Sequence, residues 1–307
     1  SPARTIAFEV LLRVARGGYA SDLLLDLAAP LDSRDAGLAT DIVFGVLRHQ
    51  AQLDFLIQYW SGRPISKLDL EVQIILRMGI YQLRYLDRIP KHAGVSESVE
   101  LTKRSQKRSA AGLVNAVLRK VTRDEIDFRT AAVRLSLPTW LLERWRKHYG
   151  AETASTMAQA ALQPPETYTR ITPAGTRTPD IGAQAVLPLL ELEAGQRFLD
   201  LCASPGNKTA QALESGVRAV ACDRHWFRME PLRKLPCPAV QLDGTKPLPF
   251  GRVFDRILVD APCSGTGTLA RNPEIKWRLK PEELAGFARR QRALLANALA
   301  CLRPGGR

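Results

Sequence analysis

Residues 198–209 read FLDLCASPGNKT, and this stretch decides the fold of the C-terminal half of the chain. An apolar run enters a tight Pro-Gly turn, and a stretch of helix length follows. Further apolar runs alternate with helix-length stretches, which is typical of a parallel sheet with crossover helices. We therefore predict an α/β domain, with strands at 198–201, 217–222 and 254–259 and helices at 208–214 and 282–302.

The first 122 residues have the apolar spacing of helices. Short breaks occur at Gly17, Pro30, Gly62 and Pro90, so we expect several short helices packed as a bundle. A connecting segment follows, with one amphipathic helix around Trp140, and Pro-Pro at 164–165 ends it. The predicted domains are 1–125 (helical), 126–180 (connecting) and 181–307 (α/β).

Composition limits the class of protein. The chain has 307 residues, and 45% of them are hydrophobic, so we expect a folded protein and not a disordered one. The net charge of +13 favours a polyanionic partner. The sequence contains neither an 18-residue apolar run nor a recognisable signal peptide, so we expect a soluble cytoplasmic protein without a membrane partner. Five cysteines without a CxxC pair argue against a disulfide framework and a metal site. Nothing demands more than a monomer.

Two acidic residues follow the next predicted strands. Asp223 lies about 20 residues beyond the glycine turn, where a carboxylate can accept hydrogen bonds from both hydroxyls of a ribose. Without the preceding glycine turn, Asp223 would more often be interpreted as a helix cap. Asp243, in QLDG at 241–244, ends a further predicted strand before 254–259 and could accept from an adenine amino group, although an isolated Asp-Gly is usually a plain turn.

Residues 254–267 read FDRILVDAPCSGTG. A buried strand would deliver Asp260 and then Cys263 on a proline-fixed turn, where both can face one pocket. A carboxylate can hold the amino edge of cytosine, and a thiolate can add to an electron-poor ring carbon or assist its release. A lone cysteine is usually a packing residue, but this turn is a poor place for packing.

These motifs resemble the Sun-type family of RNA 5-methylcytosine methyltransferases, and RNPEIKW at 271–277 continues the likeness. Residues 1–122 are similar to the NusB-like RNA-binding domain found in that family. The resemblance implies a NusB-like helical bundle followed by a Rossmann-like class I S-adenosylmethionine-dependent methyltransferase domain. It also implies methylation of C5 of a cytosine in small-subunit ribosomal RNA, through a covalent cysteine adduct.

The resemblance also implies roles for single residues. Asp223 would bind the ribose and Asp243 the adenine side of the cofactor, whereas Asp260 would contact both cofactor and cytosine. Cys263 would help to release the methylated base. The loop around the methionine part of the cofactor would consist of Cys202, Ala203, Ser204, Pro205, Gly206, Asn207 and Lys208.

The chain departs from the family pattern at three places. Asn207 stands where a second glycine is usual, and Asn tolerates left-handed backbone, so we expect the loop to persist. The family has a longer segment after the passage at 168–175. A further strand of the family carries a Thr-Cys-Ser motif with the nucleophilic cysteine; the sequence to Arg307 contains no such motif, and Cys301 does not match it.

RNA affinity is expected from a cluster of basic residues that contains no acid, although such a run can also be a solvated helix face. The cluster is Lys103, Arg104, Lys107, Arg108, Arg119 and Lys120. Two alternatives stay open. An amino methyltransferase would have an Asn- or Asp-Pro-Pro-aromatic turn instead of the one at Asp260. A non-catalytic RNA-binding, assembly or antitermination-like factor would bind RNA without methylating it.

Overall fold

The computed structural model describes residues 1–166, 170–171, 177–178 and 181–307. The predicted difference at 168–175 therefore lies largely outside the described residues. The chain divides into two compact units, here called the helical unit (Ser1–Pro165 and Gly265–Pro281) and the sheet unit (Glu166–Ser264 and Glu282–Arg307). The predicted domain limits stay a prediction. Among the described helices, none combines the length and the apolar character needed to cross a membrane.

Seven helices form the main core of the helical unit, which confirms the predicted bundle. Their apolar faces bury residues such as Val10, Ile42 and Ile75 completely. Close packing requires glycine at Gly45, where a Cβ atom would lie 1.9 Å from the Cζ atom of Tyr81. The helices are α1 (Pro2–Ala15), α2 (Ala20–Leu27), α3 (Ser33–Arg48), α4 (Gln50–Ser61), α5 (Leu70–Tyr85), α6 (Lys91–Arg104) and α7 (Ala111–Arg119).

Three more helices build a second core in the same unit: α8 (Ala131–Arg134), α9 (Thr139–Tyr149) and α10 (Ala151–Ala160). Helix α9 confirms the predicted amphipathic helix around Trp140, whereas α10, which begins directly after Gly150, was not predicted. Helix α10 buries only alanines, Ala154 and Ala158, so its sequence lacked the large apolar residues that mark a helix face.

Residues 265–281 pack within the helical unit, although the sequence around them belongs to the sheet unit. They contain helix α13 (Ile275–Arg278), and Leu269 and Ile275 contribute to the second core. The Trp277 indole N–H donates to the Leu47 carbonyl at 2.8 Å. The Lys276 side-chain nitrogen donates to two backbone carbonyls, so polar side chains as well as apolar ones hold this segment in place.

The sheet unit contains a four-stranded parallel sheet, as predicted. Its strands are β3 (Arg197–Asp200), β4 (Arg218–Asp223), β5 (Ala239–Gln241) and β6 (Arg256–Leu258). Helices α11 (Ile181–Val186), α12 (Asn207–Leu213) and α14 (Glu283–Cys301) complete the unit, together with the short antiparallel pair β1 (Arg170–Ile171) and β2 (Arg177–Thr178). The predicted strands were one or two residues out of place, and the third was predicted too long.

Successive side chains of β3 point to opposite faces of the sheet, as the pleat requires. Phe198 packs with Leu187 and Ala212 on one face, whereas Leu199 packs with Leu294 of α14 on the other. The strand order is β5-β4-β3-β6, so the connections run in opposite directions from β3. In open α/β sheets, ligands bind at the carboxyl ends of strands beside such a reversal, and the predicted site residues follow β3, β4 and β6.

Candidate cofactor and active site

The turn after β3 depends on Gly206. Its φ of 111° is left-handed, and a Cβ atom there would lie 3.0 Å from the Leu232 side chain. Asn207 is the first residue of α12 and does not have a positive φ. The left-handed backbone of this turn therefore lies at Gly206, and Asn207 occupies the usual glycine position without adopting it. The Ser204–Pro205 peptide bond in this turn is cis.

Asp223 joins the end of β4 to this turn. One carboxylate oxygen accepts from the Ser204 N–H at 3.1 Å, and the other accepts from the His225 N–H at 2.9 Å. The side chain is buried. Each carboxylate oxygen can accept more than one hydrogen bond, so a fixed carboxylate with remaining acceptor capacity stands beside the turn.

A cavity of about 220 Å³ lies beside Asp223 and Asp243. Asp243 accepts from the N–H and hydroxyl of Thr245, at 3.0 and 2.6 Å, and these hydrogen bonds lower its pKa. The cavity is lined by Leu201, Cys202, Asp223, Arg224, His225, Arg228, Leu242, Asp243, Gly244, Thr245, Pro262, Arg290 and Leu294. Three predicted cofactor residues thus surround one space, whereas the other residues of the 202–208 loop lie outside its lining.

Asp260 and Lys208 form an ion pair at 2.7 Å, which brings together two predicted site residues from different motifs. Asp260 is 55% exposed and Lys208 is 20% exposed. Cys263 follows on the same turn, and its side chain is exposed. Gln291 of α14 donates to the Pro262 carbonyl at 3.0 Å and so supports the turn between them. The carboxylate of Asp260 and the thiol of Cys263 therefore lie three residues apart on a turn that a hydrogen bond from α14 stabilises.

Asp200 was missed as a site residue, although it lies within the first motif. It is 1% exposed, and one of its oxygens accepts from the Thr209 hydroxyl at 2.7 Å. Its other oxygen and the Ser204 hydroxyl are buried without a hydrogen-bond partner among the described residues. Burial raises the pKa of Asp200 to about 6. Because buried polar atoms rarely stay unpaired, these two atoms indicate a place for a polar ligand.

The other cysteines are poor nucleophiles. Burial raises the pKa of Cys202 and of Cys222 to about 12, and it also raises the pKa of Cys237 and of Cys301. A thiol with a raised pKa has little of the reactive thiolate at neutral pH. Cys263 differs from these four in its exposure.

Tertiary contacts divide the basic cluster of the helical unit. Lys107 pairs with Asp69 at 2.8 Å and Glu71 at 3.5 Å, and the hydrogen bond to Asp69 raises its pKa. The Lys120 ammonium donates to the Trp60 carbonyl at 2.9 Å. The other pairings are Arg104 with Glu100 and Arg119 with Asn115. Among the described residues of the cluster, Lys103 and Arg108 have neither an ion pair nor a side-chain hydrogen bond, so these two side chains are the most available to a partner.

Comparison with known proteins identifies the family. A family model described as NusB family matches residues 1–123, and one described as 16S rRNA methyltransferase RsmB/F matches residues 187–307. A ribosomal RNA small subunit methyltransferase B of Thermus thermophilus is 37% identical and covers 99% of this chain and 81% of its own length. The chain belongs to the RsmB family of small-subunit ribosomal RNA methyltransferases. The resemblance recognised in the sequence is thereby confirmed.

Other RsmB-family relatives agree. A probable ribosomal RNA small subunit methyltransferase B of Synechocystis is 30% identical, covering 99% of this chain and 84% of the relative. The alignment spans 373 positions, whereas this chain has 307 residues. Within the aligned region the relative therefore has additional residues that match no residue of this chain. The crystal structure of PH0851 has a TM-score of 0.78 over 99% of this chain and 84% of its own, at 17% identity. It shows that the fold is shared.

Proposed function

We propose that this RsmB-family chain uses S-adenosylmethionine to methylate C5 of a cytosine in 16S ribosomal RNA through a covalent cysteine adduct. The observation that carries the proposal is the arrangement around the β3 turn. There, two buried polar atoms lack partners beside a cavity that contains Asp223 and Asp243. We further propose that the protein acts as a monomer in the cytoplasm, where small-subunit RNA would be its partner.

The residues present suit this cofactor. Asp223 would hold the ribose hydroxyls, and Asp243 would accept from the adenine amino group. The unpaired oxygen of Asp200 and the Ser204 hydroxyl would bind the amino and carboxylate groups of the methionine part. When bound, the cofactor supplies an electrophilic methyl group on its sulfonium. The protein's own part is to hold that group beside the turn of Asp260.

The proposed chemistry at the base uses acid, base and thiol groups. A cysteine thiolate adds to C6, and the resulting electron density lets C5 take the methyl group. A base then removes the C5 proton, the C5–C6 double bond forms again, and the C6–S bond breaks so that the cysteine leaves as a thiolate. Asp260 would accept a hydrogen bond from the cytosine amino group, and Cys263 would assist the release. By family resemblance the attacking cysteine belongs to the Thr-Cys-Ser strand, and the buried Cys301 does not replace it.

The reaction is tested with the whole protein that carries this sequence, small-subunit RNA and cofactor labelled in the methyl group. Label transferred to RNA, with a single cytosine made resistant to bisulfite, is the expected result. RNA binding without any protected cytosine would instead support a non-catalytic RNA-binding factor. Calorimetry of the 307-residue chain with S-adenosylmethionine measures cofactor binding separately from the chemistry.

Replacing Asp223 by Ala is expected to weaken S-adenosylmethionine binding about 100-fold, because charge-assisted hydrogen bonds contribute about 1.5–3 kcal/mol. The change also frees the Ser204 and His225 N–H groups that organise the turn. Calorimetry gives the affinity. The control Glu230→Gln neutralises an exposed acid outside the cavity lining and should leave the affinity unchanged. Equal affinities for the Asp223 variant and the native chain would remove Asp223 from the proposed site.

The double replacement of Lys103 and Arg108 by Gln is expected to weaken RNA binding and to flatten its salt dependence. The slope of log K against log salt is negative. For every phosphate contact that is lost, it should become less negative by about 0.7–0.9. Fluorescence anisotropy over a salt series measures the slope. The matched control is Lys147→Gln, an exposed lysine of α9 outside the cluster. An unchanged slope in the double variant would show that this cluster does not contact phosphates.

A further inference from the structure

Exposed aromatic side chains occur next to the cofactor cavity in the sheet unit. Residues 224–234, here called the aromatic turn, follow β4 directly. Trp226 is 52% exposed and Phe227 is 79% exposed, and all five residues from 224 to 228 are exposed. Neither aromatic side chain lines the cavity. Large exposed aromatic groups close together are uncommon on a soluble surface and often mark an interaction site.

The aromatic turn is anchored rather than loosely attached. Met229 and Leu232 are both completely buried, and they pack with Ala203 and Ala221 beneath the turn. Two short 3-10 helices, Trp226–Arg228 and Leu232–Lys234, shape the backbone on either side of Met229. Exposure of Trp226 and Phe227 is therefore a property of a fixed surface.

Arg233 and His225 lie beside the two aromatic rings. The Arg233 guanidinium carbon lies 4.6 Å from the centre of the Trp226 ring, so it covers that ring in a cation–π contact. The His225 ring lies 5.6 Å from that of Phe227. Arg228 and Arg233 have no ion pair among the described residues, whereas Lys234 pairs with Glu230 and Arg224 lies 3.9 Å from Asp243.

We propose that the aromatic turn is a binding site for single-stranded RNA, on which unpaired bases near the target cytosine stack. Exposed aromatic faces accept any base by stacking, and the flanking arginines can meet the phosphates. A guanidinium group covers one face of a ring, and because Trp226 is 52% exposed, we expect its other face to accept a base. A purely apolar partner would not use the unpaired arginines, and a purely acidic partner would not use the exposed rings. RNA can use both. The inference rests on the proposed function, because the RNA must reach the neighbouring cavity.

The site is tested with a fluorescently labelled, unstructured pyrimidine RNA of about 12 nucleotides, within the ~4–16 that such sites span. The double variant Trp226→Ala, Phe227→Ala is expected to bind this RNA about 100-fold more weakly, since each stacked ring contributes about tenfold. Its salt slope should stay that of the native chain, because no charge is removed. The variant Arg233→Gln, which changes no residue of the cavity lining, should instead flatten the slope. The single variant Trp226→Phe keeps an aromatic ring at this position and should bind the RNA nearly as tightly as the native chain.

The controls separate this site from the proposed function. Tyr149→Ala removes a 57% exposed ring from the helical unit and should leave RNA binding unchanged. Thermal unfolding and cofactor calorimetry establish that the variants are folded and keep their cofactor affinity. Native affinity for RNA in the double aromatic variant would overturn the site while leaving the proposed function intact. A native protein that transfers methyl groups to no RNA would count against the proposed function, whatever the aromatic turn binds.

Discussion

Replacement of Asp260 by Asn is expected to lower the rate of methyl transfer to small-subunit RNA by about 10³-fold, the scale of losing one positioned acid–base or electrostatic group. Asn keeps the size of the side chain but removes the charge that pairs with Lys208 at 2.7 Å. It also presents an amide N–H₂ toward a cytosine amino group, where a hydrogen-bond acceptor is needed. Single-turnover transfer of a labelled methyl group measures the rate.

Cofactor affinity should change much less than the rate, because Asp260 is outside the cavity lining. The matched control is Asp87→Asn, which breaks an exposed ion pair with Arg123 at 2.6 Å in the helical unit and should leave the rate unchanged. A rate for the Asp260 variant within tenfold of the native one would show that this carboxylate is not part of the reaction. Equal losses in affinity and rate would assign Asp260 to cofactor binding instead.

Lys276 should make the stability of the helical unit rise with pH. Its side chain is 1% exposed, and burial, with a smaller effect of Arg48, lowers its pKa to about 7 from 10.5. Below pH 7 the native and unfolded chains both carry the charge, and burial of that charge costs stability. Between pH 7 and 10.5 the native chain binds fewer protons, so the free energy of unfolding increases by up to about 1.4 kcal/mol per pH unit, a few kcal/mol in all.

Geometry agrees with a neutral amine. The Lys276 nitrogen donates to the carbonyls of Arg48 and Ser136 at 3.0 and 3.2 Å, and a neutral amine has two N–H donors for these two acceptors. A Lys276→Met variant removes the titration while keeping an unbranched side chain. The measured quantity is the difference in unfolding free energy between native chain and variant, from denaturant titrations at several pH values. A difference that stays flat from pH 7 to 10 would contradict a lowered pKa at Lys276.

Local patterns predicted much of the sheet unit. The Pro-Gly turn after an apolar run, and acids after the next two runs, were enough to predict which side chains gather at one end of a parallel sheet. Cys202, Asp223 and Asp243 do surround one cavity, and Asp260 does meet Lys208. Their roles in binding and catalysis stay predictions. This degree of success has a physical reason, because strand ends in a parallel sheet are neighbours whatever the loops between them contain.

Features that depend on distant parts of the chain were not predictable in this way. Arg290 of α14 lines the cavity, but nothing in its neighbourhood in the sequence distinguishes it from other helix-surface arginines. The basic cluster contained no acid in sequence, yet Asp69 and Glu71 at the start of α5 pair with Lys107. The left-handed position of the turn lies at Gly206, and Asn207 begins the helix, which the family pattern alone did not show. Each of these features depends on an arrangement that only folding creates.

The placement of residues 265–281 has a consequence for synthesis of the protein on the ribosome. Residues 1–165 leave the exit tunnel long before Glu274, Lys276 and Trp277, which complete the packing of the same helical unit. At ~5–20 residues per second, the delay is roughly 6–23 s. During that interval the nascent helices expose the surface that later receives α13. If translation stopped or paused before residue 281, residues 1–165 would lack residues 265–281, which complete the helical unit.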